Sequence, residues 1–306
     1  MNVSRLAGAV CTLTLPLLGI ACGKGVREPV ERPILFSESR DGNMDVFTVS
    51  PATGKTTQVT NDPAYDGYAS WSHDGSKIAF ASKRAGGNFE IFVANADGTS
   101  ARQLTNMGFD SAPAWSPDGK KIAFSSMTAY GYDMFVMDAD GSNQTRVTDV
   151  SGRNELCGNW SPDGSLIVFG SDMDDHWHIY TIKPDGTELK KLTDGDFDDY
   201  LPRFSPTGSR VAFTSDRDGV HEIYVMNSDG TGVTRVTFGD ENGTYRDVQP
   251  TWSADETEIV YQRSALIGSQ TNELYSIRLV ASATRVGDPR NAATRISSGG
   301  FPSWYP

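Results

Sequence analysis

The stretch WSPDGKKIAF, Trp115–Phe124, decides the fold because the chain repeats it. Related segments are WSHDGSKIAF at Trp71, WSPDGSLIVF at Trp160, FSPTGSRVAF at Phe204 and WSADETEIVY at Trp252, and a remnant, WYP, begins at Trp304. Successive starting positions are 44, 45, 44, 48 and 52 residues apart. A regular period of this length indicates a repeat architecture, in which each unit stacks on its neighbours to bury its apolar face.

Each repeat reads as four short strands joined by glycine turns. The aromatic residue ends a first strand, the SPDG-type segment makes a tight turn, and the apolar triplet after it begins a second strand. Pro and Gly suit such turns because Pro fixes φ and Gly takes positive φ at no steric cost. A third strand such as DMFVM follows, then a second turn such as DADG, then a short strand ending in Thr or Ser. This pattern is typical of a β-propeller blade.

The number of second strands predicts the number of blades. These strands begin at Ile34, Ile78, Ile122, Ile167, Val211 and Ile259. The first repeat has no aromatic-ended strand before it, whereas the last repeat is followed by a spare one, FPSWYP. We therefore predict an all-β, six-bladed propeller with four-stranded antiparallel blades, whose ring is closed by the C-terminal strand completing the first blade. Such closure leaves no long unpaired sheet edge at the seam.

The paired motifs WSPDGKKIAF and DMFVMDADGSNQTRVT resemble the repeat of the TolB-type six-bladed propeller family. The resemblance covers residues 33–306 and implies the fold rather than an activity, since propellers carry many unrelated functions. TolB-type proteins also have an α/β domain before the propeller. Here only residues 22–32 separate the N-terminal segment from the first strand, so we expect the propeller part alone.

The N-terminal segment has the features of an export signal. Residues 1–21 carry one charged side chain, Arg5, and an apolar run too short and too interrupted to span a bilayer. The run ends in LGIAC, which resembles the bacterial lipoprotein box and implies cleavage before Cys22 and acylation of that residue. The alternative is an ordinary signal peptide with a chance Cys. We predict a signal peptide over 1–21, a polar tether over 22–32 and the propeller over 33–306.

These features predict a protein of the bacterial cell envelope, held by lipid at the outer membrane, on its periplasmic side or at the surface. The chain is acidic, with a formal net charge of −12. Nucleic acid is therefore a poor partner, because its binding draws on Lys and Arg that neutralise phosphates. A basic peptide or protein surface fits better. The sequence contains no G-x-S-x-G, H-E-x-x-H, C-x-x-C or Gly-rich phosphate motif, and we assign no catalytic residue.

Two acidic positions recur in nearly every repeat. The position five residues before the repeated aromatic residue reads Asp66, Asp110, Glu155, Asp199, Asp247 and Gly299. The position that begins the third strand reads Asp45, Glu90, Asp133, His178, Glu222 and Glu273. Strand polarity predicts both positions on one face of the disc, the upper face, with the SPDG and DADG turns on the lower face. A residue repeated in most blades often serves a structural need, so a structural role and a partner-binding role are both open.

Side chains that do not repeat lie in the upper loops between blades: Tyr65, Phe109, Arg153, Asn154, Tyr200, Tyr245 and Arg246. Aromatic residues with isolated arginines in exposed loops are typical of protein-binding hot spots. The alternative is that these aromatic rings pack over the ends of adjacent blades. Together with the five acids of the first repeated position, these residues other than Asn154 form the predicted binding surface for an envelope protein or peptide. We expect the protein itself to be a monomer.

Two weaker patterns suggest a metal site. Asp194, Asp196 and Asp198 alternate along one loop and could ligate Ca²⁺, the candidate cofactor, although the EF-hand pattern is absent and a solvated acidic loop is the alternative. His176 and His178 lie two residues apart on one predicted strand and so face the same side. The sequence leaves two functions open. One is a lipid-anchored, non-catalytic protein- or peptide-binding scaffold; the other is a metal-dependent carbohydrate lyase or hydrolase that uses the axial pocket.

Overall fold

A computed structural model describes residues 33–150, 152–239, 244–266, 272–279 and 293–304. The predicted signal peptide, Cys22 and the tether lie outside these residues. Among the described residues, no helix is long and apolar enough to cross a membrane.

The described residues form six sheets of four antiparallel strands, one sheet per blade. Blade 1 consists of β1 (Ile34–Arg40), β2 (Asn43–Val49), β3 (Thr56–Gln58) and the last strand, β24 (Gly300–Trp304). Blade 2 consists of β4 (Asp66–Trp71), β5 (Lys77–Ser82), β6 (Glu90–Asn95) and β7 (Arg102–Gln103). Blade 3 consists of β8 (Asp110–Trp115), β9 (Lys121–Met127), β10 (Tyr132–Asp138) and β11 (Thr145–Arg146).

The other three blades repeat this order. Blade 4 consists of β12 (Glu155–Trp160), β13 (Ile167–Ser171), β14 (His178–Ile182) and β15 (Lys190–Lys191). Blade 5 consists of β16 (Asp199–Phe204), β17 (Arg210–Ser215), β18 (Glu222–Asn227) and β19 (Thr234–Arg235). Blade 6 consists of β20 (Tyr245–Trp252), β21 (Glu258–Ala265), β22 (Asn272–Arg278) and β23 (Thr294–Ser298).

The C-terminal strand closes the ring, as the sequence predicts. Strand β24 pairs antiparallel with β1, with Ile34 opposite Trp304 and Leu35 opposite Ser303. The strands β24, β4, β8, β12, β16 and β20 contact one another in turn around the axis. Without β24, strand β1 would present unpaired backbone groups at the axis, which is a costly edge. The predicted six-bladed propeller is thereby confirmed.

The hydrophobic core lies between neighbouring blades. One core cluster joins Ala114 and Val147 of blade 3 to Trp160 and Phe169 of blade 4. The indole N–H of Trp160 donates to the main-chain oxygen of Ala114 at 3.0 Å. The indoles of Trp71 and Trp252 donate in the same way to the main-chain oxygens of Pro33, next to β1, and Arg203 in β16. Burying one such large apolar side chain contributes roughly 1.5–3 kcal/mol. The repeated tryptophan therefore fastens its blade to the one before.

The second glycine turn is a packing requirement as well as a turn. Gly98 has φ +82, and a Cβ added there would lie 1.8 Å from the main-chain oxygen of Val59 in the preceding blade. The equivalent Cβ at Gly230 would lie 2.5 Å from the oxygen of Leu192. Glycine recurs in these turns because the outer hairpin of each blade rests directly on the neighbouring backbone.

Candidate functional site: the upper face and its axial mouth

The two repeated acidic positions meet at the junctions between blades. The facing pairs are Glu90 with Asp110, Asp133 with Glu155, His178 with Asp199, and Glu222 with Asp247. A threonine after the fourth strand of each of the first five blades fixes this arrangement. Thr105 Oγ1 accepts the main-chain N–H of Ile91 at 2.9 Å and donates to Glu90 Oε2 at 2.9 Å. Each junction is thus a buried polar network that joins two blades.

Arginines neutralise three of the buried inner-strand acids. The ion pairs are Arg84–Asp66, Arg217–Asp199 and Arg263–Asp247, at 2.6, 2.9 and 2.6 Å. Each guanidinium also lies over the aromatic rings that stack within its blade; Arg217 is 4.9 Å from the centroid of the Tyr224 ring. A buried carboxylate without such a partner strongly destabilises the fold. The arginines therefore offset the free-energy cost of burying these three acids.

The five acids of the predicted binding surface lie beneath that surface. The relative exposure is 0% for Asp66, Asp110, Glu155 and Asp199 and 2% for Asp247. A partner resting on the upper face cannot contact them in this conformation. Direct contact with a partner is left to the loop residues above them, because the carboxylates are enclosed within the blade junctions.

The junction between blades 2 and 3 differs from the others. Thr128 stands in blade 3 where Arg84 stands in blade 2. Among the described residues, neither side-chain oxygen of Asp110 receives a hydrogen bond. Burial raises the pKa of Glu90 to about 7, hydrogen bonds from Thr105 and Gly108 oppose the rise, and the adjacent Asp110 adds to it. Near neutral pH the Glu90 carboxyl is therefore partly protonated, which lowers the charge that this junction must bury without a guanidinium.

Two of the predicted loop aromatics pack over blade ends. The ring of Tyr65 meets Phe89 edge-on at 4.9 Å, and the ring of Tyr200 meets His221 edge-on at 5.7 Å. Both tyrosines are half-buried, and burial is the main cause that raises the pKa of each hydroxyl. Their contacts correspond to the packing alternative considered from the sequence.

The other predicted loop residues reach the surface to different degrees. Phe109 and Tyr245 are each 44% exposed. Arg246 is exposed as well. Arg153 is only half-exposed, because neighbouring loop residues bind its guanidinium. The guanidinium of Arg153 donates to the main-chain oxygen of Asp172 at 3.0 Å and to Asp175 Oδ1 at 2.8 Å. The exposed candidates for partner contact are therefore Phe109, Tyr245 and Arg246.

The axial channel opens between these loops and contains a cavity of about 260 Å³. Its wall is mostly apolar and includes Tyr68, Leu201, Phe301, Pro113, Pro202, Pro250 and Pro302. Tyr68, Leu201 and Phe301 have φ near +54 and lie at β-bulges of their inner strands. Such bulges re-aim side chains, here towards the axis. Below this cavity, a second one of about 250 Å³ is lined by the aromatic residues of the repeat, among them Trp71, Trp160 and Trp252.

The channel wall was not predicted from the sequence, although the sequence carries a signal for it. Proline occurs two residues before the repeated aromatic residue at Pro113, Pro202, Pro250 and Pro302. Proline lacks a backbone N–H and is confined to sheet edges and bulges. A proline that recurs in the first strand of four repeats therefore identifies the edge that faces the axis.

Three of the five candidate metal ligands, His176, Asp194 and Asp198, are engaged with protein groups. His176 Nδ1 lies 3.3 Å from Asp198 Oδ1, and Asp194 pairs with Lys191 at 2.8 Å. His178 is buried, and burial lowers the pKa of its imidazole. Within the part of the chain that the structure describes, no group of three or more His, Cys, Asp or Glu side chains is placed to hold a metal ion.

Solved structures share this fold at low sequence identity. TolB from Acinetobacter baumannii superposes with a TM-score of 0.75 at 18% identity, over 90% of this chain and 67% of that one. A putative TolB from Agrobacterium tumefaciens gives 0.68 at 19% identity, over 88% and 90%. An oligogalacturonate lyase in complex with manganese gives 0.52 at 15% identity, over 87% and 73%. No curated protein matches the sequence.

The family assignment follows from the sequence itself. A family model described as the TolB beta propeller domain matches residues 105–175 and 157–289, two overlapping stretches that together cover more than half of the chain. The described blades have the closed six-bladed architecture that the repeat predicts. This chain belongs to the TolB β-propeller domain family.

Proposed function

We propose that this protein is a non-catalytic scaffold of the bacterial cell envelope that binds a protein or peptide through its upper face. One observation carries the proposal. Among the described residues, most large apolar side chains that are strongly exposed lie in the upper loops or at the strand ends beside them: Met107, Phe109, Met127, Tyr130, Tyr245 and Leu266. Exposed apolar side chains gathered around a concave mouth are typical of protein-binding surfaces.

Blade 3 contributes the densest part of this surface. Asp110 is paired with Ser126, so Phe109 and Met127 are neighbours at the ends of β8 and β9. Met127 is in turn paired with Tyr132, whose side chain lines the axial cavity. The apolar surface thus continues from the loop into the channel. Methionine and aromatic side chains suit such a surface because they adapt to, and cover, an apolar partner.

Export and anchoring belong to the same proposal. The family resemblance, the apolar N-terminal run and Cys22 support a lipid-anchored protein at the outer membrane, on its periplasmic side or at the surface. We expect [³H]palmitate labelling of the intact protein in a bacterial host and no labelling of a Cys22→Ser variant. Equal labelling of both proteins would contradict the anchor.

Affinity capture from an envelope extract tests the binding function. The baits are residues 33–306, a Phe109→Ala/Tyr245→Ala variant and a Leu189→Ala/Val233→Ala variant. Leu189 and Val233 are 49% and 37% exposed and lie near the outer hairpins of the lower face, so they form a matched control. We expect a protein retained by the first and third baits and lost by the second. Equal capture by all three would place the contact elsewhere.

The second candidate function is a metal-dependent carbohydrate lyase or hydrolase. It draws on the fold shared with the manganese-bound oligogalacturonate lyase and on the imidazoles of His176 and His178. This function requires bound divalent metal, with Mn²⁺ or Ca²⁺ as candidates. Metal analysis of the purified protein decides between the candidates: stoichiometric metal lost in a His176→Ala/His178→Ala variant would favour the enzyme, and its absence would favour the scaffold.

A further inference from the structure

A third cavity lies on the lower face, between blades 2 and 3. This lower cleft has a volume of about 360 Å³ and is lined by His73, Lys77, Arg102, Trp115 and Asp118, among others. It runs between the first turn of blade 2 and the equivalent turn of blade 3. Its lining residues belong to neither the upper loops nor the upper axial cavity.

Trp115 differs from the equivalent residues of other repeats. Trp71, Trp160 and Trp252 are at most 7% exposed, and each indole N–H donates to a main-chain oxygen. Trp115 is half-buried, and its indole nitrogen has no acceptor among the described residues. Its ring forms part of the wall of the lower cleft.

The junction between blades 5 and 6 is closed by an ion pair that this cleft lacks. There, Arg210 lies 4.6 Å from the Trp252 ring and pairs with Glu256 of the next blade at 3.1 Å. The equivalent residues at the cleft are Lys77 and Gly119. A glycine offers no carboxylate, so no ion pair spans the cleft or covers the Trp115 ring.

The acidic side chains of the cleft have hydrogen-bond partners within their own turns. Hydrogen bonds from the Ser76 main chain and from Ser72 lower the pKa of Asp74 to about 2, and similar bonds from Lys120 and Ser116 hold the pKa of Asp118 low. The carboxylates of Asp74 and Asp118 therefore already accept hydrogen bonds from residues of their own turns.

The cations of the cleft have no such carboxylate partner. In the described part of the chain, none lies within ion-pair distance of Lys77, and the guanidinium of Arg102 donates to the main-chain oxygen of Asp140 at 2.8 Å. His73 adds a third basic side chain, where the repeats of blades 3, 4 and 5 have proline.

From this geometry we infer that the lower cleft is a binding site for a small amphipathic carboxylate, a ligand with a flat apolar body and one anionic group. The flat body would lie against the Trp115 ring, in the position that Arg210 occupies on the Trp252 ring at the junction between blades 5 and 6. The carboxylate would pair with Lys77, with Arg102 and His73 nearby. A neutral molecule of the same shape could not form the ion pair. Loss of an ion pair that contributes about 1.4 kcal/mol weakens binding about tenfold.

The test uses 2-naphthoate as the probe and 2-naphthamide as its neutral match. Binding to the purified full chain is followed by the ¹⁵N–¹H signals of the tryptophan indoles, with the Trp115 signal assigned from a Trp115→Phe variant. We expect saturable shifts of that signal with 2-naphthoate and at least about tenfold weaker binding of 2-naphthamide.

A variant that closes the cleft supplies the decisive comparison. Lys77→Arg/Gly119→Glu rebuilds the Arg210–Glu256 ion pair at this junction. A Cβ at Gly119 meets nothing within 4 Å, and Glu256 itself has φ +57, so a glutamate fits there. We expect this variant to melt cooperatively and bind 2-naphthoate at least about tenfold more weakly.

Lys121→Met is the matched control, because Lys121 holds the Lys77 position in blade 3 and pairs with Asp138 at 2.9 Å. It should bind 2-naphthoate as the unaltered chain does. The inference is overturned if 2-naphthoate gives no saturable shift, if 2-naphthamide binds equally well, or if the closed variant keeps full affinity.

Discussion

The carboxyl groups of Glu90 and Asp110 face each other across the junction between blades 2 and 3, and no arginine pairs with either in the described structure. Glu90 is 7% exposed and Asp110 is fully buried. Burial raises the pKa of Glu90 and the adjacent Asp110 adds to the rise, so ionisation of Glu90 costs folding free energy. Stability is therefore tied to pH at this junction.

Replacing Glu90 by Gln should remove that dependence. The pKa of Glu90 is raised from 4.5 to about 7 in the folded protein, so the folded state binds more protons than the unfolded state between these values. Its stabilising contribution is complete below about pH 4.5 and is lost as the pH rises through 7. We expect Glu90→Gln to be more stable than the parent by about 1–3 kcal/mol at pH 8, with little difference at pH 5. Urea unfolding at the two pH values measures this.

The control for this comparison is Glu188→Gln, since Glu188 is exposed and pairs only with Lys183 at the surface. Its effect on the free energy of unfolding should be below about 1 kcal/mol at both pH values. If Glu90→Gln shifted stability equally at pH 5 and pH 8, a raised pKa of Glu90 in the folded protein would be ruled out.

Replacing Arg217 by Met should strongly destabilise the propeller. Arg217 Nη2 lies 2.9 Å and 3.0 Å from the two oxygens of the fully buried Asp199. Removing one partner of such a pair leaves an uncompensated charge and costs about 3–5 kcal/mol. Urea unfolding of Arg217→Met checks this value, and Lys183→Met, at an exposed ion pair, should cost less than about 1 kcal/mol. The double variant Arg217→Met/Asp199→Asn should recover much of the loss, because the buried charge is then gone.

Gly98 and Gly119 form a matched pair of glycines with positive φ, +82 and +68. Only at Gly98 would a Cβ collide with backbone, the oxygen of Val59 at 1.8 Å. We expect Gly98→Ala to lower the free energy of unfolding by about 2–4 kcal/mol and Gly119→Ala to lower it by about 1 kcal/mol. Both alanines must adopt the left-handed conformation, and only the one at position 98 must also displace a neighbouring blade. Thermal melts of both variants, run side by side, measure the difference. Equal losses would mean that the hairpin does not rest on Val59.

Removal of strand β24 should open the ring. A chain ending at Ser298 leaves β1 without its axial neighbour, and the expected fall in melting temperature exceeds about 10 °C. A peptide of residues 299–306 should restore part of that loss, whereas a scrambled peptide should not. A truncated chain that melts like the parent would contradict closure by β24.

The architecture was predictable because its determinants are local. Short segments contain all of the signals: the turn residues around Trp115, the spacing of the repeats and the unmatched strand at the C-terminus. Each segment predicts its own blade independently of the other segments. The buried role of the repeated acids was open from sequence because one blade supplies each acid and its neighbour often supplies the facing group. Asp110 and Glu90, for example, are assigned to different blades.

What the sequence by itself determined is the fold: six repeats, four strands each, and closure by the last strand. Tertiary structure alone decided which side chains reach the surface. Tyr65 and Tyr245 look alike in the sequence, yet Tyr65 packs against Phe89 while Tyr245 is 44% exposed. The physical reason is that exposure, cavities and the pKa of Glu90 arise from the distance between neighbouring blades, which depends on side chains about forty-five residues apart rather than on any local pattern.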